Sequence, residues 1–180
     1  TAAMRSAVAG LDRLDILVNN AGMGVAGALG AYDDDDVRRM IDLNCTSAVF
    51  VAQAAAGRMV DQGSGVIINL SSTFGINGRP NHSVYSATKH FIEGFTKSTA
   101  IELARSGVRV VAVGPTAIDT PMTHERLMDP VVGGDLLARI PMGRFGQVSD
   151  VVGAVVFLAS PAAALITGTT IMIDGGWTAQ

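Results

Sequence analysis

Four short hydrophobic runs recur along this 180-residue chain, and polar or turn-forming residues follow each of them. The runs are DILVNNAG at 15–22, GVIINLSS at 65–72, GVRVVAVGP at 107–115 and TTIMIDGG at 169–176. Each is rich in β-branched residues and nearly continuous rather than alternating, which is typical of strands buried on both faces of a parallel sheet. The pattern therefore predicts four parallel strands.

Longer stretches with helical spacing separate these runs, and they predict helices over roughly 35–61, 84–105 and 149–159. The DDDD run at 33–36 precedes the first helix and predicts an N-cap followed by an acidic first turn, which the helix dipole favours. Ser149 is the expected cap of the last helix. Strands that alternate with helices predict a single α/β domain over the whole chain, with right-handed crossovers.

The amino-acid composition argues against several classes of protein function. Hydrophobic residues make up 48% of the chain and charged residues only 16%, which favours a packed domain over disorder. A formal charge of -3 and the lack of any basic stretch argue against a nucleic-acid partner, and no apolar run is long enough to predict a membrane span. The single cysteine, Cys45, rules out an internal disulfide and fits a cytoplasmic location. The three histidines show no metal-ligand spacing, so no metal is expected.

The segment YSATK places Tyr85 and Lys89 four residues apart on a predicted helix, so that both side chains share a face. Tyrosine normally titrates near pH ~10. A neighbouring ammonium stabilises the phenolate and lowers its pKa, which suits general acid–base chemistry near neutrality. Two surface residues that meet at this spacing by chance are the alternative.

Three further features accompany this pair. Ser72 ends a predicted buried strand, and its hydroxyl can hydrogen-bond a substrate carbonyl; Ser71 is its competitor for that role. Asn44 lies inside a predicted helix, where asparagine is unfavourable, and its ordinary alternative is an exposed helical amide. The NNAG segment at 19–22 combines amides with small residues, which lets a ligand approach the backbone closely.

Taken in order, these motifs resemble the classical short-chain dehydrogenase/reductase family over essentially the whole chain. The matched positions are Asn19-Asn20-Ala21-Gly22, Asn44, Ser72, Tyr85 with Lys89, Pro115-x-x-Ile118-x-Thr120, Arg144-Phe145-Gly146 and the closing FLAS…ITGTTIMIDGG. Each motif alone is weak, but the ordered set is specific. The resemblance implies a Rossmann-like, doubly wound parallel sheet.

The resemblance also implies a reaction, the transfer of a hydride between NAD or NADP and a carbonyl or secondary alcohol. Tyr85 would exchange the proton with the substrate oxygen, and Lys89 would lower the tyrosine pKa and bind the nicotinamide ribose. Ser72 would hold the substrate oxygen, and Asn44 would anchor a water in a proton relay. Besides Tyr85 and Lys89, the positions implied to contact the cofactor are Asn19, Ala21, Gly22, Pro115, Ile118 and Thr120.

Several further expectations follow from the resemblance. The segment 121–146 would form a substrate lid, and the chain would assemble as a homodimer or homotetramer with Trp177 near a subunit contact. The substrate type would be that of a 3-oxoacyl-acyl-carrier-protein-reductase-like enzyme or a broad alcohol dehydrogenase. Thr116 stands where the family usually has glycine, and its side chain is expected to weaken cofactor contact.

The family's N-terminal strand, glycine-rich turn and helix have no match here, so we expect an N-terminally incomplete fold with about four of the usual seven strands. Either the chain is a piece of a longer protein or it is a natural truncation. The first is favoured, because the strand at 15–19 would otherwise present an open apolar edge. A non-catalytic remnant with weak or no cofactor binding is the alternative to an active oxidoreductase.

Overall fold

The structure, a computed structural model, describes residues 2–180, with side chains from residue 6 onward. The helices are α1 Ala2–Ala9, α2 Asp34–Ile41, α3 Ser47–Gln62, α4 Ser83–Leu103, α5 His124–Met128, α6 Val132–Leu137 and α7 Val148–Ala159. The strands are β1 Ile16–Asn19, β2 Gly65–Leu70, β3 Val108–Pro115, β4 Ile118–Asp119, β5 Gly146–Gln147 and β6 Thr170–Ile173. The four predicted strands are therefore confirmed, and the first, second and fourth end earlier than their hydrophobic runs.

These four strands form one parallel sheet in the order β1-β2-β3-β6. Ile67 and Ile68 of β2 point to opposite faces, because successive side chains of a strand alternate. Ile67 packs in a cluster with Met59 of α3 and Ala100 of α4. Ile68 packs on the other face with Leu158 of α7. Helices cover both faces, which confirms the doubly wound α/β architecture.

The predicted helix over 35–61 is continuous but not uniform. Asp33 caps it, since its Oδ1 accepts the N–H of Asp35 at 2.8 Å, as predicted. Between α2 and α3 the backbone widens into a π-helical turn over Asp42–Thr46. Such turns are rare and frequently occur at functional sites, and this one carries Asn44. No helix among residues 2–180 is both long and apolar enough to cross a membrane.

The predicted cap of the last helix is wrong. Gln147, not Ser149, is the N-cap residue of α7, and its backbone N–H donates to Asp150 Oδ2 at 2.7 Å. Ser149 lies inside the first turn. Asp150 serves as the capping acceptor because Arg144 holds it there with two hydrogen bonds of 2.7 and 3.1 Å. This ion pair, together with the Gln147 N–H, lowers the pKa of Asp150 to about 2.

The segment 121–146 folds over the carboxyl edge of the sheet as α5, α6 and connecting turns. Leu127, Leu136 and Ile140 from this segment form a cluster with Phe74 and Trp177. Trp177 is buried and lies edge-on to Phe74, with 6.0 Å between ring centroids. Trp177 is therefore largely enclosed by residues of its own chain, and a subunit contact near it stays a prediction.

Within the described residues, β1 lies at the edge of the sheet and pairs only with β2. Ile16 and Val18 of this strand remain 46% and 42% exposed. The apolar edge that the sequence predicted is therefore present in the structure.

Candidate active site

A cavity of about 430 Å³ opens beside the carboxyl ends of β2 and β3, where ligands bind in parallel α/β sheets. Six of the ten predicted site residues line it: Gly22, Ser72, Tyr85, Lys89, Pro115 and Ile118. A larger cavity of about 600 Å³ lies at the opposite edge, beside Gly65 and Val108, and none of the ten lines it. The candidate chemistry therefore belongs to the smaller cavity.

Ser72 and Ser71 leave β2 in different directions. Ser72 caps a short 3-10 turn, where its Oγ accepts the N–H of Phe74 at 3.2 Å, and it faces the phenol of Tyr85. Ser71 also lines the cavity, but its buried Oγ donates to the carboxylate of Glu93. The geometry therefore favours Ser72 over its competitor, although its role stays a prediction.

Tyr85 lies in the first turn of α4 and packs edge-on against Phe74, with 6.0 Å between ring centroids. Burial raises the pKa of Tyr85, and the neighbouring Ser72 hydroxyl opposes this rise. Burial is thus the dominant cause of the shift, and a lowering of the tyrosine pKa by Lys89 stays a prediction. Lys89 lies over the ring, with Nζ 5.7 Å from its centroid.

Lys89 follows Tyr85 by one helical turn, as the spacing predicted, and its side chain is buried. Its Nζ donates a 2.7 Å hydrogen bond to the carbonyl of Leu70 at the end of β2. Burial lowers the pKa of Lys89 from 10.5 to about 8, and the thiol of Cys45 opposes this effect. Lys89 can therefore lose or gain a proton near neutral pH.

Asn44 is only 2% exposed, so the exposed-amide alternative is wrong. Its side chain holds the backbone of Met23 from both sides, with Oδ1 accepting the N–H and Nδ2 donating to the carbonyl, each at 2.8 Å. Nδ2 also donates to Thr88 Oγ1 at 3.0 Å. The π-helical turn thereby links α4 to the loop after β1. Asn44 does not line the cavity.

Three other predicted residues also do not line the cavity: Asn19, Ala21 and Thr120. The Asn19 side chain donates to Ala48 O at 3.0 Å and to Asn69 Oδ1 at 3.2 Å, so it joins β1 to its neighbours. Thr120 Oγ1 lies 2.9 Å from Thr123 Oγ1, at the start of the segment 121–146. Their contacts with a cofactor stay predictions.

Sequence reasoning missed several residues of the cavity. Asn20 lines it in place of Asn19, and strand alternation is the signal that could have chosen between them. Thr116, whose side chain was expected to affect cofactor contact, also lines the cavity, and its buried Oγ1 has no hydrogen-bond partner within the described chain. His82 is buried and lines the cavity as well.

A buried hydrogen-bond network around the carboxylate of Glu93 lies next to the site. Glu93 of α4 accepts hydrogen bonds from Ser71 after β2 and, at 2.5 Å, from Thr170 Oγ1 of β6. A Cβ at Gly75 would lie 2.4 Å from Ser71 Oγ and 3.0 Å from Glu93 Oε1, so this position requires glycine. Within residues 6–180, no three His, Cys, Asp or Glu side chains converge as metal ligands.

Comparison with known proteins places this fold and site in a family. Residues 1–178 match a family model described as enoyl-(acyl carrier protein) reductase. A gluconate 5-dehydrogenase from Burkholderia cenocepacia J2315, solved in complex with NADP and tartrate, superimposes with a TM-score of 0.94 and 36% identity, over 99% of this chain and 72% of that one. The chain belongs to the short-chain dehydrogenase/reductase family, as its motifs predicted.

Two curated relatives show the range of the family around this chain. A 3-oxoacyl-[acyl-carrier-protein] reductase from Synechocystis is 44% identical over 165 residues, which cover 91% of this chain and 65% of the relative. A 3alpha-hydroxysteroid dehydrogenase from Mediterraneibacter gnavus is 40% identical over 162 residues, which cover 90% and 64%. This chain therefore spans slightly less than two thirds of the length of these relatives.

Proposed function

We propose that this protein is an oxidoreductase that transfers a hydride between NAD(P)(H) and a carbonyl or secondary alcohol. The observation that carries the proposal is the meeting of Ser72, Tyr85 and Lys89 in one cavity at the carboxyl edge of the sheet. The relatives support the reaction type, because they are named reductases and dehydrogenases although their substrates differ. No comparison favours the non-catalytic remnant.

Nicotinamide cofactors are the proposed partners, as NADP or NAD. The cavity fits such a group because Gly22, which lines it, has no side chain that would occupy the space. A Cβ there would lie 3.2 Å from Asn44 Oδ1 and 3.8 Å from Lys89 Nζ, in the space beside the ammonium. The solved Burkholderia relative carries NADP, which supports this assignment. When bound, the cofactor supplies or accepts the hydride; Gly22, Lys89, Pro115 and Ile118 would hold it.

Each catalytic residue has a distinct proposed task. The Ser72 hydroxyl donates a hydrogen bond to the substrate oxygen and fixes its position. The Tyr85 phenol gives its proton to that oxygen during reduction, or takes the proton during oxidation. Lys89 stabilises the resulting phenolate and, with a pKa of about 8, returns a proton near neutral pH. Asn44 would anchor the water of a proton relay behind Lys89.

The substrate is proposed to be a small carbonyl or alcohol compound, of the type used by 3-oxoacyl-carrier-protein reductases or by broad alcohol dehydrogenases. The segment 121–146 is the proposed lid, because Leu127 and Leu136 line the same cavity as the catalytic group. Cytoplasmic localisation stays a prediction.

Self-association as a homodimer or homotetramer is also proposed. Val148, Val152 and Val156 recur every four residues on α7 and are each at least half exposed, which leaves an apolar stripe on that helix. Sedimentation velocity tests this directly, since a monomer at all concentrations would refute it.

Isotope transfer tests the redox proposal. The protein is incubated with NADH or NADPH deuterated at the transferable position and with a panel of neutral ketones and oxo acids, and the products are analysed by mass spectrometry. Deuterium on the carbinol carbon of a product supports hydride transfer. Absence of deuterium from every product with both cofactors refutes the proposal.

A further inference from the structure

The cavity is lined by three cationic side chains and by no aspartate or glutamate. The cations are Lys89, Arg79 and Arg126. Because the chain as a whole carries a formal charge of -3, this excess of positive charge is local to the cavity. Lys89 belongs to the proposed catalytic group, whereas the two arginines have no part in the proposed proton transfer.

Arg126, on α5, is held in place without its charge being neutralised. Its Nη2 lies 3.1 Å from His82 Nε2, and because a guanidinium only donates, the imidazole accepts. His82 Nδ1 lies 3.0 Å from Pro80 O and so donates to it, which defines a neutral ring. Within residues 6–180, Arg126 has no carboxylate partner. Most of its five N–H donors therefore remain available.

The positive charge of Arg79 is also incompletely neutralised. Its side chain is 13% exposed, and its Nη2 donates to Asp135 at 2.9 Å. Asp135 is shared with Arg139, which donates to it at 3.1 Å. Burial lowers the pKa of Arg79; Asp135 opposes this, while Arg126 and Arg139 add to it. One carboxylate thus serves two guanidiniums, those of Arg79 and Arg139, and an added anion near Arg79 and Arg126 would stabilise their charges.

The arginine end and the proposed chemistry face the same cavity. Arg126 contacts His82, whose ring centroid is 5.5 Å from that of Phe74. Phe74 in turn packs against Tyr85. Two rings therefore connect the guanidinium to the phenol, and Arg126 and Tyr85 both line the cavity of about 430 Å³. Apolar neighbours such as Leu136 line the same cavity, and low-dielectric walls strengthen attraction of an anion.

We propose that Arg126, supported by Arg79, binds a carboxylate at the end of the substrate remote from the reacting carbon. The substrate class is then hydroxy acids and oxo acids rather than neutral alcohols and ketones. This inference rests on the proposed function, because it takes Tyr85 as the place of the reacting oxygen. Guanidinium suits this task, since its parallel N–H groups match the two oxygens of a carboxylate.

The test compares gluconate with sorbitol, two six-carbon probes that differ only in a carboxylate replacing a hydroxymethyl group. Trp177 is the only tryptophan and lines the cavity, so its fluorescence reports binding of either probe. Gluconate is expected to bind at least ~10-fold more tightly than sorbitol, and Arg126→Gln to remove about that advantage, because charge-assisted hydrogen bonds to a ligand are worth this much. The affinity for sorbitol should not change.

Arg105→Gln is the matched control, since Arg105 is exposed, lies outside the cavity and carries the same charge. It should leave gluconate binding intact. Arg126→Lys, which keeps the charge but loses the planar fork, should give an intermediate loss and covers the case in which Arg126→Gln does not fold.

Equal affinity for gluconate and sorbitol would overturn the inference, and so would equal losses in the Arg126 and Arg105 variants. If Arg126→Gln weakens NADPH binding instead of gluconate binding, the arginine serves the cofactor and the inference is wrong. The redox proposal fails separately: gluconate selectivity without deuterium transfer would refute hydride transfer while leaving the anion site in place.

Discussion

Lys89 Nζ donates a 2.7 Å hydrogen bond to the carbonyl oxygen of Leu70, the last residue of β2. This bond ties α4 to the strand end from which Ser72 emerges, and Tyr85 lies one turn before Lys89 on the same helix. The buried ammonium therefore fixes the phenol and the serine hydroxyl relative to one another. Burial of this ammonium lowers the free energy of unfolding by an amount that depends on pH.

The first prediction concerns that pH dependence. The pKa of Lys89 is about 8 in the folded chain and 10.5 as its ordinary value, so between these values the unfolded chain binds the proton more tightly. The free energy of unfolding should therefore rise with pH across this window, by on the order of 2–3 kcal/mol from this group. Urea unfolding of wild type and Lys89→Met from pH 7 to 10.5 measures it.

The Lys89→Met curve should rise less steeply than wild type. Lys97→Met is the control, because Lys97 lies on the same helix but is exposed, and its curve should run parallel to wild type. Parallel curves for wild type and Lys89→Met would show that burial does not lower the pKa of Lys89.

The second prediction separates the adjacent serines. Ser71→Ala leaves the buried Glu93 with one hydroxyl partner fewer, so it should lower the free energy of unfolding by about 1–3 kcal/mol while turnover falls little. Ser72→Ala should change the free energy of unfolding little. Its turnover should fall by ~100-fold or more, because a donor to the reacting oxygen is removed. Denaturation and steady-state kinetics on both variants measure these effects. If Ser71→Ala lost turnover and Ser72→Ala lost stability instead, the assignment of Ser72 to the substrate oxygen would be wrong.

The third prediction uses two glycines. Gly107 follows α4 and its 3-10 extension with φ +74°, and a Cβ there would lie 2.2 Å from Gly63 O. Gly107→Ala should therefore destabilise the fold by more than 1 kcal/mol, about the cost of a left-handed alanine plus a backbone clash. Gly57→Ala, inside α3 with nothing within 4 Å, should stabilise it by about 0.5–1 kcal/mol. Melting temperatures that move in the same direction would show that backbone conformation does not distinguish the two positions.

Much of the fold could be predicted because it depends on local pattern. The runs of Ile67-Ile68 and Val110-Val111 are apolar on both sides, and the structure buries both of their faces. The Asp33 cap was predictable for the same reason, since its acceptor and donors lie within three residues. The site could be proposed because its motifs keep fixed spacing along strand ends and one helix.

What could not be predicted depended on contacts between distant residues. The enclosure of Trp177 results from Phe74 and from residues of the segment 121–146, about which its local sequence says nothing. The shift of the Tyr85 pKa depends on burial, which outweighs the effect expected from i, i+4 spacing. Arg79 and Arg126 stand in a loop and a five-residue helix, and only the fold brings them to one cavity.

The central claim is that the phenol of Tyr85 is the proton donor in this cavity, and Tyr85→Phe tests it by removing a single oxygen. Turnover should fall by ~10³-fold or more, while the dissociation constant for NADPH stays within about threefold of wild type, because only the acid–base group is lost. Tyr32→Phe, at the only other tyrosine, removes a hydroxyl bonded to Asn81 O outside the cavity and should retain turnover. Full turnover in Tyr85→Phe would contradict the claim, because the proton would then come from another group.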